Sequence, residues 1–147
     1  MSVRPRSVRL GRPKAAALAY FAIAFSVGFA LGTVRVMLVV PLIGDFGAVA
    51  LELPVMLAVS WLAAGWCVRR FAVPARAAPR LLMGGLAFAL LMLAELGVSV
   101  LAFGRSPADH LATYRQAAAL AGLAAQVGFA LLPWLRTITD RKPSRPA

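Results

Sequence analysis

Four stretches of the chain are almost continuously apolar: residues 15–34, 46–68, 81–103 and 116–135. Each is close to the ~20 apolar residues a helix needs to cross the hydrocarbon of a bilayer. Between them fall clusters of charge, Pro and Gly. The pattern predicts an all-α integral membrane domain over 15–135, with spans at about 15–40, 46–68, 81–103 and 111–135. Basic tails at 1–14 and 136–147 frame it, and Pro5 and Pro13 keep the first from being one helix. Pro41 limits the first helix, and Asp45 is placed to N-cap the second, giving a tight hairpin. Arg69–Arg80, with Pro74 and Pro79, reads as a loop. Gly104–Asp109 reads as a turn in which Ser106 or Asp109 caps a short lead-in to the last helix. Connections this short favour sequential helices as antiparallel neighbours, and therefore an up-down four-helix transmembrane bundle.

Composition agrees with this pattern. Hydrophobic residues make up 61% of the 147 and charged residues 14%, against about 45–50% and 25% in a soluble domain. A water-soluble fold, a disordered chain and a disulfide scaffold are excluded. The formal charge of +11 raises the question of nucleic acid, and the placement of the charge answers it. Thirteen of the sixteen Lys and Arg lie in the two tails and the 69–80 loop; only Arg35, Arg105 and Arg115 lie near the other two connections. That alternation is the positive-inside pattern with both termini cytoplasmic. It accounts for the basicity without a nucleic-acid partner and makes anionic lipids the expected one. Arg outnumbers Lys fourteen to two beside heavy use of Ala, Leu and Gly, which suggests a bacterial inner membrane. The first block is longer than a signal-peptide core and reads as an uncleaved span. Trp66, Trp134 and Tyr20 fall near the inner ends of their spans, and Tyr114 and Phe103 at the outer level, as in an aromatic belt.

The informative residues are those that do not suit lipid. Glu52 and Glu95 interrupt the second and third blocks, and such charges usually face protein or water. Counting at about 1.5 Å per residue puts them, Arg35 and Arg115 in one layer of the outer half. Each span thus contributes one ionisable group to a candidate intramembrane polar cluster. Helical spacing groups Gly28, Gly32 and Arg35 on one face, Glu52, Met56 and Ser60 on another, and Glu95 with Ser99 on a third. A fourth face carries Arg115, Ala119, Gly122 and Gln126. Gly28 and Gly32 form a GxxxG pair that would permit close helix packing, and Pro54 is expected to kink the second helix beside Glu52. Plainer readings stand beside these. Arg35 and Arg115 could reach headgroups, either Glu could be a structural hydrogen-bond partner, and GxxxG recurs by chance in Ala/Gly-rich spans.

Other chemistry is missing. Cys67 and His110 are single residues of their kinds, so no zinc ligand set exists. No nucleophile lies beside a base at a recognisable spacing, no phosphate-binding loop or haem ligand pair is present, and no cofactor is implied. The block Gly32–Trp66, through Gly32, Arg35, Pro41, Gly44, Glu52, Pro54 and Trp61, resembles an uncharacterised family of small four-span bacterial inner-membrane proteins. That resemblance covers about a quarter of the chain and brings the four-span fold but no activity. The Gly28/Gly32/Arg35 spacing is also similar to the first helix of fluoride channels, but the second block lacks the asparagine that family needs. Glu52-x-Pro54 is similar to the second helix of membrane glutathione transferases. Ala48 to Leu51 hold no asparagine, so glutathione chemistry is not carried over. The leading expectation is a non-enzymatic accessory or structural membrane component whose polar cluster fixes the helices, alone, as a homo-oligomer or within a larger membrane complex. The alternative is a small oligomeric proton- or cation-coupled transporter or channel using Glu52 or Glu95.

Overall fold

A computed structural model describes residues 12–140, so residues 1–11 and 141–147 of the two expected tails lie outside the described residues. Helix α1 covers Pro13–Val34, and a π-helical segment, Arg35–Val39, leads into α2 at Val40–Arg70. Then come α3 (Ala77–Leu101), α4 (Pro107–Ala112), a 3-10 turn at Thr113–Arg115 and α5 (Ala117–Asp140). Three helical stretches are long and apolar enough to cross a membrane: Pro13–Arg70, Ala77–Leu101 and Ala117–Asp140. Large apolar side chains such as Leu42, Leu62 and Leu101 are more than two-thirds exposed. Such an outer surface needs an apolar surrounding.

The first stretch folds back on itself. Arg12 N–H donates to the Phe71 carbonyl at 3.2 Å, Gly28 lies against the Met56 methyl, and Arg35 meets Glu52. These pairs close an antiparallel hairpin around residues 41–45. Its bend has two causes. Pro41 has no N–H for the Met37 carbonyl, and just before it the Val40 N–H reaches back five residues to the Arg35 carbonyl. Gly44 then takes φ 76° and ψ 170°, a backbone that suits only glycine. The expectation that Asp45 caps the helix is corrected: Gly44 holds the cap position, and Asp45 stands one residue inside it, where its charge still favours the helix N-terminus. Pro54 removes one backbone bond but the dihedrals remain helical there; the break is at Gly44. At α4, Ser106 is the N-cap and Asp109 completes a capping box with it. The Ser106 hydroxyl and backbone N–H hold the Asp109 carboxyl below its usual range.

Packing order departs from the expected neighbours. α1 packs on α2 and α3, and α5 packs on α2 and α3. The helices joined by the Phe71–Arg76 connection, α2 and α3, are therefore diagonal rather than adjacent. Leu57 faces Gly128 and Gly65 faces the Arg136 guanidinium, so α2 and α5 run parallel. Small residues decide these neighbours. The Gly84 Cα lies against the Ala130 backbone carbonyl, so close that any Cβ would overlap it. The tight seam is thus at Gly84, between α3 and α5. Gly32, expected to form a seam with Gly28, has nothing within 4 Å of where a Cβ would stand.

The α1–α5 diagonal is bridged by one side chain. Pro133 has no N–H, so the Phe129 carbonyl, four residues earlier, loses its helical donor. The Tyr20 hydroxyl donates to that carbonyl at 2.9 Å, and its ring stacks on Phe129 at 4.2 Å between centroids. Tyr20 is fully buried and not part of an interfacial belt. Tyr20→Phe should cost about 1 kcal/mol, and less in a Pro133→Ala background, where the backbone N–H returns. Unfolding of the four-member cycle in detergent checks this; equal costs in both backgrounds would contradict it.

The helix expected to end at Leu135 continues to Asp140, which gives two cations of the supposed cytoplasmic segments structural roles. Arg80 is 2% exposed and meets Asp140 Oδ2 at 2.6 Å and the Pro74 carbonyl at 3.3 Å. Arg136 lies 4.4 Å from the Trp61 ring centroid, a cation–π stack that Gly65 makes room for.

Candidate functional site

The ends of the molecule differ. Around Arg12, Phe71–Arg80 and Asp140 the helices close over a buried core that includes Ala17, Tyr20, Ala64, Cys67, Met83 and Ala87. Toward the 41–45 bend and the 102–116 connection they separate around a cavity of about 820 Å³. Exposed Asp45, Phe103 and Arg105 mark its mouth, and buried Ser60 and Phe129 its deep end.

The polar residues expected inside the membrane fall on its wall as two pairs. On one side Arg35 Nε stands 2.7 Å from Glu52 Oε2. The N–H is not aligned with the carboxylate, so the contact is an ion pair without a directed hydrogen bond. It joins α1 to α2. The π-helical turn that starts at Arg35 and the Gly44 bend set the two residues opposite each other. On the other side Gln126 Nε2 donates to Glu95 Oε1 at 2.5 Å, which joins α3 to α5. Donation from nitrogen is the amide orientation a carboxylate requires. Each pair thus clamps one antiparallel pair of helices, and the cavity lies between the two clamps.

The fourth expected member is corrected. Arg115 is exposed on the 3-10 turn and does not line the cavity, although Ala119, Gly122 and Gln126 of its presumed face do. The 3-10 turn and the extended Gln116 (φ −89°, ψ 139°) break the helical register between Arg115 and α5. Gly28 and Gly32 line the cavity as well, and their missing side chains contribute to its width.

The wall retains unused hydrogen-bonding capacity. Ser99 is 6% exposed and, among the described residues, its Oγ has no hydrogen-bond partner; Gln126 Oε1 is likewise buried and unpartnered among them. Buried polar groups are normally satisfied; Arg136 Nε, away from the cavity, is a further exception. Among the described residues there is no group of three or more His, Cys, Asp or Glu able to hold a metal ion. His110 lines the rim and packs edge-on against Tyr114. No family model matches the chain, and neither a curated protein nor a solved structure matches it.

Proposed function

We propose that this protein is a small, non-enzymatic multi-pass component of a bacterial inner membrane that binds a small solute in the cavity at the outer end of its helices. In this reading the chain crosses four times, both termini face the cytoplasm, and anionic lipids contact the basic loop and tails. Clamping of α1 to α2 and of α3 to α5 is the structural task of the two polar pairs. Solute binding is the task of the wall between them, to which the Glu95 side of the second pair contributes. One observation carries the reading: a polar cluster that served only to fix helices would be packed and mutually satisfied, whereas Glu52, Glu95, Ser99 and Gln126 border about 820 Å³ of space. A cavity of this size lies in the usual range for small-molecule sites.

The purely structural reading, an accessory component with no cargo, is supported by each pair joining one set of neighbouring helices. Two substitutions separate the readings. Glu52→Gln strips Arg35 of its counter-ion and should lower the amount of folded protein. Glu95→Gln can keep an amide bond to Gln126, so it should leave folded protein at wild-type abundance while abolishing a pH-dependent flux or resistance phenotype. Loss of abundance in both variants, with no such phenotype in the wild type, would overturn the solute reading.

A further inference from the structure

Glu52 and Glu95 are not equivalent on the cavity wall. The charge on Glu52 is met by Arg35, whereas Glu95 is hydrogen-bonded to the neutral Gln126 amide; His110 shares the cavity wall with it, but no Lys, Arg or His lies within ion-pair distance of it among the described residues. The groups beside Glu95 can all accept hydrogen bonds, the Ser99 hydroxyl being able to donate as well. Its carboxylate accepts. Gln126 has committed its N–H to that carboxylate and presents its carbonyl oxygen, which is buried and unpartnered. Ser99, one helical turn along the same face, offers an equally unpartnered oxygen that is nine-tenths buried. Three oxygens able to accept, one of them on an acidic side chain with no ion-pair partner among the described residues, complement a group that carries several N–H donors and a positive charge.

Elsewhere the wall carries Arg35 paired with Glu52, and Asp45, Arg105 and His110 toward the mouth, and between these it is largely aromatic and apolar. Phe25, Phe29, Phe103, Tyr114 and Phe129 all line the cavity. Ring faces attract a cation as well as covering hydrophobic surface. Phe29 and Met37 also border the space, and both are more than half exposed.

From this we infer that the cavity is a binding site for a protonated organic amine with a hydrophobic body, its ammonium held by Glu95, Gln126 and Ser99 and its body by the surrounding rings. The inference rests on the reading of the cavity as a solute site and names the class of solute. An anion is disfavoured by Glu95, and a bare metal cation leaves the aromatic wall without a role.

The test uses the full chain in lipid nanodiscs, with empty discs as the partitioning control. Three probes of nearly equal shape are compared by equilibrium dialysis: 3-phenylpropylammonium, neutral 3-phenylpropanol and anionic 3-phenylpropionate. The ammonium should bind above the empty-disc level and tighter than either other probe by about tenfold or more. Glu95→Gln should abolish that preference, while Arg115→Gln, altered on an exposed turn, should keep it. Preference for the alcohol or the carboxylate would overturn the amine assignment and leave a solute site standing. Binding of none of the three would overturn both the assignment and the reading beneath it. Because the probe comparison is made on the unaltered chain, it decides even if Glu95→Gln fails to fold. Should that variant fold and still prefer the ammonium, the role given to Glu95 is wrong.

Discussion

Gly84→Ala should destabilise the protein by about 3 kcal/mol or more, and Gly84→Val should yield little folded protein. Overpacked cores commonly lose about 1–3 kcal/mol because flexible side chains can give way. At Gly84 the obstacle is the backbone carbonyl of Ala130, so relief requires a whole helix to move. α3 would have to leave α5, and the Glu95–Gln126 bond above it and the Arg80–Asp140 pair below it would both lengthen. The neighbouring glycine is the control. A Cβ on Gly85 meets nothing within 4 Å, and Gly85→Ala should stay within about 0.5 kcal/mol of wild type. Thermal unfolding in detergent with size-exclusion recovery measures both. Equal behaviour of the two alanine variants would show that the α3–α5 seam is not at Gly84.

The second large effect is asymmetric. Among the described residues, removing Asp140 leaves the Arg80 guanidinium, almost fully buried, with only the Pro74 carbonyl at 3.3 Å and the Pro133 carbonyl at a long 3.5 Å. Removing Arg80 leaves Asp140, whose side chain is 38% exposed and can turn to water. Breaking a buried pair from one side costs about 3–5 kcal/mol, and partial exposure of Asp140 reduces this. Asp140→Ala should therefore cost about 2–3 kcal/mol. Arg80→Met, which keeps the stem volume, should cost less, and Arg80→Met combined with Asp140→Ala should recover stability relative to Asp140→Ala alone. Unfolding midpoints of the three variants check the order. A double variant less stable than either single one would contradict the assignment of the cost to a stranded buried charge.

Helical class, the apolar stretches, the hairpin near Pro41 and the turn at Ser106/Asp109 could be read from the sequence because each depends on local signals; the break itself fell at Gly44 rather than at the expected Asp45 cap or Pro54 kink. Candidate wall residues were legible for a similar reason. A charge inside an apolar block must face protein or water, and that placed Arg35, Glu52 and Glu95 on the inner side. Which helices are neighbours was not legible. That depends on where two backbones can touch, and nothing in a string distinguishes Gly84, which does, from Gly32, which does not. Arg115 was misplaced because helical spacing was carried through Gln116, where the backbone is extended. Arg80 and Arg136 were assigned to solvated cytoplasmic segments by charge pattern alone. A long cation beside a helix end counts toward topology whether it reaches water or, like Arg80, turns inward to a single carboxylate. Gln126 lay on the noted face, but its bond to Glu95 connects residues far apart in the chain.

The account depends on the cavity facing outward, as proposed, and being open to water and solutes down to Ser99. In a Cys67→Ala background, Ser99→Cys and Ala87→Cys are introduced separately, Ala87 being fully buried and remote from the cavity wall. Each is exposed on intact cells to a small, membrane-impermeant cationic thiol reagent added from outside. The account predicts that the cysteine at 99 is modified and that the one at 87 is spared. Equal protection of both, or modification at 99 only after the cytoplasmic side is opened, would contradict it.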